Sequence, residues 1–102
     1  MARYVLAPSA EADIEDIWEW IALEGKSPAS ADALIDLFFE KFPLLATQPR
    51  MGVARPWLRE DIRAFPVKSY IIFYRVIEGG VEIERVIRAS RNIEALFDIA
   101  ES

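Results

Sequence analysis

The chain has 102 residues, 53% apolar and 28% charged, which fits one globular domain spanning 1–102 and excludes a disordered segment. It contains no cysteine and no histidine, so disulfides, thiolate chemistry and imidazole acid–base catalysis are excluded. A net charge of −5 argues against strong nonspecific nucleic-acid binding, and the lack of a secretory or long apolar run predicts a cytoplasmic protein without membrane contact.

In chain order, "ARYVLA" (2–7) predicts a short strand, closed by Pro8 and Ser9. From Pro8 to Leu23, Ala10, Ile14, Ile17, Trp18 and Ile21 recur every three or four positions, which predicts an amphipathic helix. Its acids Glu11, Asp13, Glu15 and Asp16 crowd the half where the helix dipole favours negative charge, and Gly25 marks the stop. Ser27-Pro28 signals a second helix start, followed by a stripe of Ala31, Leu34, Ile35, Phe38, Phe42 and Leu45. Pro43 lacks the N–H and predicts either a kink or a stop near Glu40 followed by a separate turn to Thr47. Helices joined by so few residues pack as an antiparallel hairpin.

"TQPRMGVARPWLRED" (47–61) predicts a loop. Beyond it the period changes to two, and Ile62–Val67, Tyr70–Ile77 and Val81–Ala89 predict a three-strand meander with a tight turn at Gly79-Gly80. Pro66 suits an edge or a bulge, and Asn92 is placed to cap a short last helix, "IEALFDIA". The expected fold is α+β, ordered β-α-α-β-β-β, with the helical hairpin packed on one face of a small, mostly antiparallel sheet.

Charge is unevenly placed. Residues 1–48 hold three basic side chains against nine acidic ones, while 49–91 hold nine basic against five acidic. Solvated helices rich in acids and strands rich in arginine explain that plainly; a positive partner surface on the second half explains it more sharply.

With Gly79-Gly80 as the turn, Arg75 falls opposite Glu84, Tyr74 opposite Arg85, Phe73 opposite Val86 and Ile72 opposite Ile87. Alternation then assigns Ile72, Tyr74, Val76, Ile83 and Ile87 to the core face. The other face carries Ile71, Phe73, Arg75, Glu84, Val86 and Arg88, a mixture of apolar and charged groups suited to docking a protein segment. Arg75 and Glu84 are expected to form a cross-strand ion pair, and Arg85 a cation–π contact over Tyr74. Arg88 and Arg91 have no acid in register and are the arginines expected to bind a partner. Arg63 joins the Tyr74–Arg85 row if Lys68-Ser69 is a two-residue turn, and joins Phe73 and Arg75 if the turn has three. Trp18 is expected in the core. Trp20 lies about 200° around the helix from it, facing the second helix or a partner. Trp57 in the basic loop is a comparable candidate for a partner contact, though covering the core is the commoner fate of such a residue.

The ordered set "AEADIEDIWEWIA", "LATQPRMG", "RAFPVKSYIIFYRV" and "VEIERVIRASRN" resembles the RelE/ParE superfamily of toxins from bacterial type II toxin–antitoxin systems, close to the ParE branch. The resemblance implies a ParD-like antitoxin partner whose C-terminal segment wraps the toxin, forming a hetero-oligomer. It also implies one of two activities: RelE-like members are ribosome-dependent mRNA endoribonucleases, and ParE-like members poison DNA gyrase by binding. Cleavage through a 2′-hydroxyl needs a base, an acid and cations around the phosphorane. Arg63 and Arg91 match two of the basic positions of RelE-like nucleases, but Phe65 and Ile71 occupy two others, and the tail "NIEALFDIAES" lacks the tyrosine expected there. Arg88-Ala89 stands where ParE members often carry a His-Gly-like pair. The expectation is therefore a non-enzymatic gyrase inhibitor having no catalytic residues, no metal and no cofactor, with a RelE-like ribosome-dependent mRNA endoribonuclease as the runner-up and a toxin-fold module with another target as the third reading. Its expected partner contacts are Phe73, Arg75, Val86 and Arg88 for the antitoxin, and Arg85, Arg88 and Arg91 for the target, with Arg63 and Trp20 as further candidates.

Overall fold

The computed structural model describes residues 2–91 together with Ile93 and Phe97. The chain begins with strand β1 (Arg3–Leu6) and enters helix α1 (Pro8–Glu19) through Pro8, whose fixed φ suits the first helical turn. Ala10, Ile14 and Ile17 are the buried stripe of α1. The helix then widens into one π-helical segment, Trp20–Glu24, whose Trp20 carbonyl accepts from Gly25 N–H at 3.0 Å. Helix α2 (Pro28–Thr47) follows, crossing back over α1. Trp18 sits at the seam rather than in the core: it is half-buried, and its Nε1–H donates to Asp32 on α2 at 2.8 Å.

Pro43 neither stops nor splits α2, which runs unbroken to Thr47. An interior proline costs about 3 kcal/mol. Here Phe38, Phe42, Leu45 and Ala46 straddle it on the buried side, and burying side chains of this kind returns about 1.5–3 kcal/mol for each large one. Pro43 itself faces solvent, and its carbonyl accepts from Thr47 Oγ1 at 2.6 Å.

The sheet has five strands in the order β1-β5-β4-β3-β2, with β2 Val53–Ala54, β3 Ile62–Val67, β4 Tyr70–Ile77 and β5 Gly80–Arg88. β1 runs parallel to β5, and the other pairs are antiparallel. The two-residue β2 lies inside the stretch expected to be a loop; being so short, it leaves no period to read. Gly80 lies against the β1 backbone, where any Cβ would overlap the Arg3 carbonyl. That close approach is what lets the first strand dock on the last.

Both faces of the sheet are covered. On the helix side Tyr70, Ile72, Tyr74, Val81, Ile83 and Val86 pack with Ile14, Ile17, Phe38 and Phe42. On the far side Ile62, Ala64, Phe73 and Ile87 pack with Leu58 and Phe97. The expected C-terminal helix lies, apart from Ile93 and Phe97, outside the described residues. Trp57 does not cover this core: it is 65% exposed, with the Arg55 guanidinium 5.4 Å from its ring centre.

Candidate functional site

The hairpin between β4 and β5 turns at Glu78-Gly79, with Gly79 at φ +79°, so Ile77 pairs with Gly80 and Arg75 with Glu82. The expected register, built on Gly79-Gly80, is corrected accordingly. A β-bulge then intervenes: Tyr74 faces Ile83 and Phe73 faces Arg85, which leaves Glu84 extra. Beyond the bulge the pairs are Ile72 with Val86, Ile71 with Ile87 and Tyr70 with Arg88.

These shifts separate the residues expected to share a docking face. Val86 turns to the helix side and is 2% exposed, while Ile87 turns to the far side. Phe73 is 1% exposed, with its ring 5.0 Å from that of Phe97. Val76, expected in the core, is exposed. Arg75 stays with Phe73 on the far side and binds Glu82 at 2.8 Å and Glu84 at 3.0 Å, and Glu84 also accepts from Arg59 at 3.2 Å. The expected Arg75–Glu84 pair is present, widened into a network that holds the guanidinium above its usual range, chiefly through Glu82.

Arg85 makes a different contact from the one expected. It reaches α1, with Nε 2.7 Å from Asp13 Oδ2 and Nη2 2.9 Å from Oδ1, a two-pronged pair. The hydrogen bond that Arg85 donates to Asp13 raises the Arg85 pKa, against the opposing effect of burial. Asp13 Oδ2 also accepts the Val86 backbone N–H at 2.9 Å. One carboxylate thus satisfies a guanidinium and a strand edge together. Asp13 was hidden among the four acids of the early helix, and only the parallel docking of β1 on β5 brings it to the bulge.

Arg63 pairs with Tyr74 through a two-residue turn at Lys68-Ser69, which decides the parity question. Its Nη2 donates to the Gly52 carbonyl at 2.7 Å and, at 3.4 Å, to that of Arg50. The Tyr74 hydroxyl donates to the Pro49 carbonyl at 2.6 Å and accepts from Gly52 N–H at 2.8 Å. A side chain at Gly52 would collide with that hydroxyl, so the glycine in "QPRMG" is required by close approach. Arg63 is occupied in holding this loop.

Where α1 passes the end of β5, a groove of about 270 Å³ opens, walled by Ile17, Trp20, Tyr70, Val86, Arg88 and Arg91, with Asp13 and Asp16 on its helix side. Trp20 is 55% exposed and stands at the start of the π segment. Arg88 and Arg91 are exposed and make no side-chain hydrogen bond or ion pair among the described residues. With Asp13 engaged by Arg85, the groove is positive overall. It offers apolar surface beside two available guanidiniums and presents no histidine or cysteine, a combination suited to holding a segment with acidic and apolar side chains.

Among known proteins, a family model described as the ParE toxin of type II toxin–antitoxin system, parDE, matches residues 4–93. Toxin ParE1 of Mycobacterium tuberculosis is 28% identical over 94 residues, which cover 91% of this chain and 95% of that protein. Toxin ParE1 of Caulobacter vibrioides is 34% identical over 95 residues, 93% of this chain and 97% of the relative. A solved structure of the chromosomal ParDE TA system from P. aeruginosa superposes with a TM-score of 0.70 at 22% identity, covering 86% of this chain and 96% of the other. The likeness is one of fold, two helices packed on a mostly antiparallel sheet.

Proposed function

The chain belongs to the ParE toxin family of type II toxin–antitoxin systems, and on that premise we propose that it inhibits DNA gyrase by binding and is neutralised by a cognate antitoxin seated in the α1–β5 groove. The observation that carries the reading is the availability of Arg88 and Arg91 beside exposed Trp20. Arg59, Arg63, Arg75 and Arg85 are each engaged internally, so of the arginines on β3 to β5 and the turn after β5, Arg88 and Arg91 are the ones left open to a partner with acidic side chains.

The same accounting supports binding over mRNA cleavage. A nuclease site gathers a base and several cations on one phosphate. Here Arg63 is held on the 50–52 loop, and Phe65 and Ile71 are half-buried packing residues. The protein would act in the cytoplasm, where its target works.

A supercoiling assay with purified gyrase is expected to show inhibition with accumulated cleavage complexes, reversed by stoichiometric antitoxin. Unaffected supercoiling at saturating toxin would remove the gyrase reading. Cutting of ribosome-bound mRNA would replace binding with catalysis.

A further inference from the structure

The backbone of β5 keeps one donor and one acceptor in hand. β1 stops at Leu6, opposite Ile83, and its last bond to β5 is Ala7 N–H to the Ile83 carbonyl at 2.9 Å. β5 continues to Arg88, and no strand runs along its outer edge there among the described residues. Ala89 N–H donates to Ser69 on the β4 side at 2.9 Å. Strand alternation therefore points the N–H and C=O groups of Arg88 and Val86 outward, toward the groove. Two of these four are used: Val86 N–H by Asp13, and the Arg88 carbonyl by Arg91 N–H at 3.0 Å. The Val86 carbonyl and the Arg88 N–H have no partner among the described residues.

That remaining pair is what a parallel neighbour requires. In a parallel ladder, a residue opposite Ile87 donates to the carbonyl before it and accepts from the N–H after it. An antiparallel neighbour would use both groups of Val86 or both of Arg88, and each residue has already given up one. Resting on the toxin–antitoxin reading above, we propose that the antitoxin enters this groove as an extended strand, running parallel to β5 where β1 leaves off.

The side-chain pattern follows from the register. The bridging residue shares the face of Ile87 and points away from the helices. The residue before it lies in the Val86 row, against Ile17 and Trp20, and is apolar. The residue after it lies in the Arg88 row, within reach of Arg88 and Arg91, and is Asp or Glu. The partner motif is thus apolar–any–acidic, read from N to C.

The test uses the whole chain and its cognate antitoxin. Hydrogen exchange at the Arg88 amide is expected to slow on complex formation by about 100-fold or more, the protection given by a formed ladder bond. Arg88→Pro removes the outward N–H at an edge position that tolerates proline. It is expected to bind about 3- to 10-fold more weakly than Arg88→Ala, the worth of one hydrogen bond. An intact complex with unchanged Arg88 exchange, or equal affinity for folded Arg88→Pro and Arg88→Ala, overturns the strand and leaves the toxin–antitoxin reading standing. Failure of the wild-type chain to bind the antitoxin at all overturns both. If Arg88→Pro does not fold, the exchange measurement on the wild type decides.

Discussion

Asp13→Ala is expected to lower the unfolding free energy by about 2–4 kcal/mol, as measured by urea denaturation at neutral pH. The carboxylate is 13% exposed and its guanidinium partner 27% exposed, so truncation leaves Arg85 partly desolvated without a counter-charge. It also orphans the Val86 N–H at an edge that no strand covers among the described residues. For a domain of this size such a loss lowers Tm by about 10–25 °C. The double variant Asp13→Ala/Arg85→Ala should recover part of the loss, because it removes the unpaired charge along with its partner. Asp13→Asn should fall between, since one amide oxygen can accept the Val86 N–H but supplies no charge. A change below about 0.5 kcal/mol for Asp13→Ala, the size of an ordinary surface substitution, would mean that the bridge does not tie α1 to β5.

The Arg88→Glu/Arg91→Glu variant is expected to bind the antitoxin about 100-fold more weakly at physiological salt, with Tm almost unchanged. Neither guanidinium makes a hydrogen bond or ion pair among the described residues, so reversing both charges leaves the fold's internal pairs intact. In the groove each reversal replaces an attraction with a like-charge contact, and such juxtapositions cost several kcal/mol before salt screening. Both sites are solvent-facing, which reduces the effect to about 2–3 kcal/mol in total. The association rate should fall and lose its salt dependence. Lys26→Glu, beyond the π segment and away from the groove, should change neither quantity. Titration of both variants by calorimetry checks this, and equal affinities would exclude electrostatic seating in the groove.

The contrast between these residues shows what could be read ahead of the structure. The strand and helix order was legible because apolar spacing announces it: Ile14 and Ile17 on α1, Phe38 and Phe42 on α2, and the period-two run Tyr70–Ile77. Arg88 and Arg91 could be singled out because no nearby acid matched them in sequence. Register was harder. Two adjacent glycines, Gly79 and Gly80, allow more than one two-residue turn, and the structure uses the first for its positive φ and the second for the contact with β1. The bulge at Glu84 has no composition signal, yet it moves Val86 into the helix-side core and Ile87 out of it. Asp13 and Arg85 are 72 positions apart, and their pairing depends on the parallel docking of β1, a long-range event that local pattern does not encode. The stop near Glu40 fails for the opposite reason: a local rule about Pro43 was outweighed by the packing of the turns on either side.

Two tryptophans give the most direct measurement of where the antitoxin sits. Trp20 and Trp57 are similarly exposed, at 55% and 65%, but only Trp20 lines the groove between α1 and β5. Truncating an aromatic anchor at the centre of an interface typically costs 2 kcal/mol or more, or about 30-fold in affinity. Antitoxin titrated onto Trp20→Ala is expected to bind about 30-fold more weakly than onto the wild type, while Trp57→Ala binds as the wild type does. Equal affinities for both variants, or a loss confined to Trp57→Ala, would contradict the groove as the antitoxin's seat.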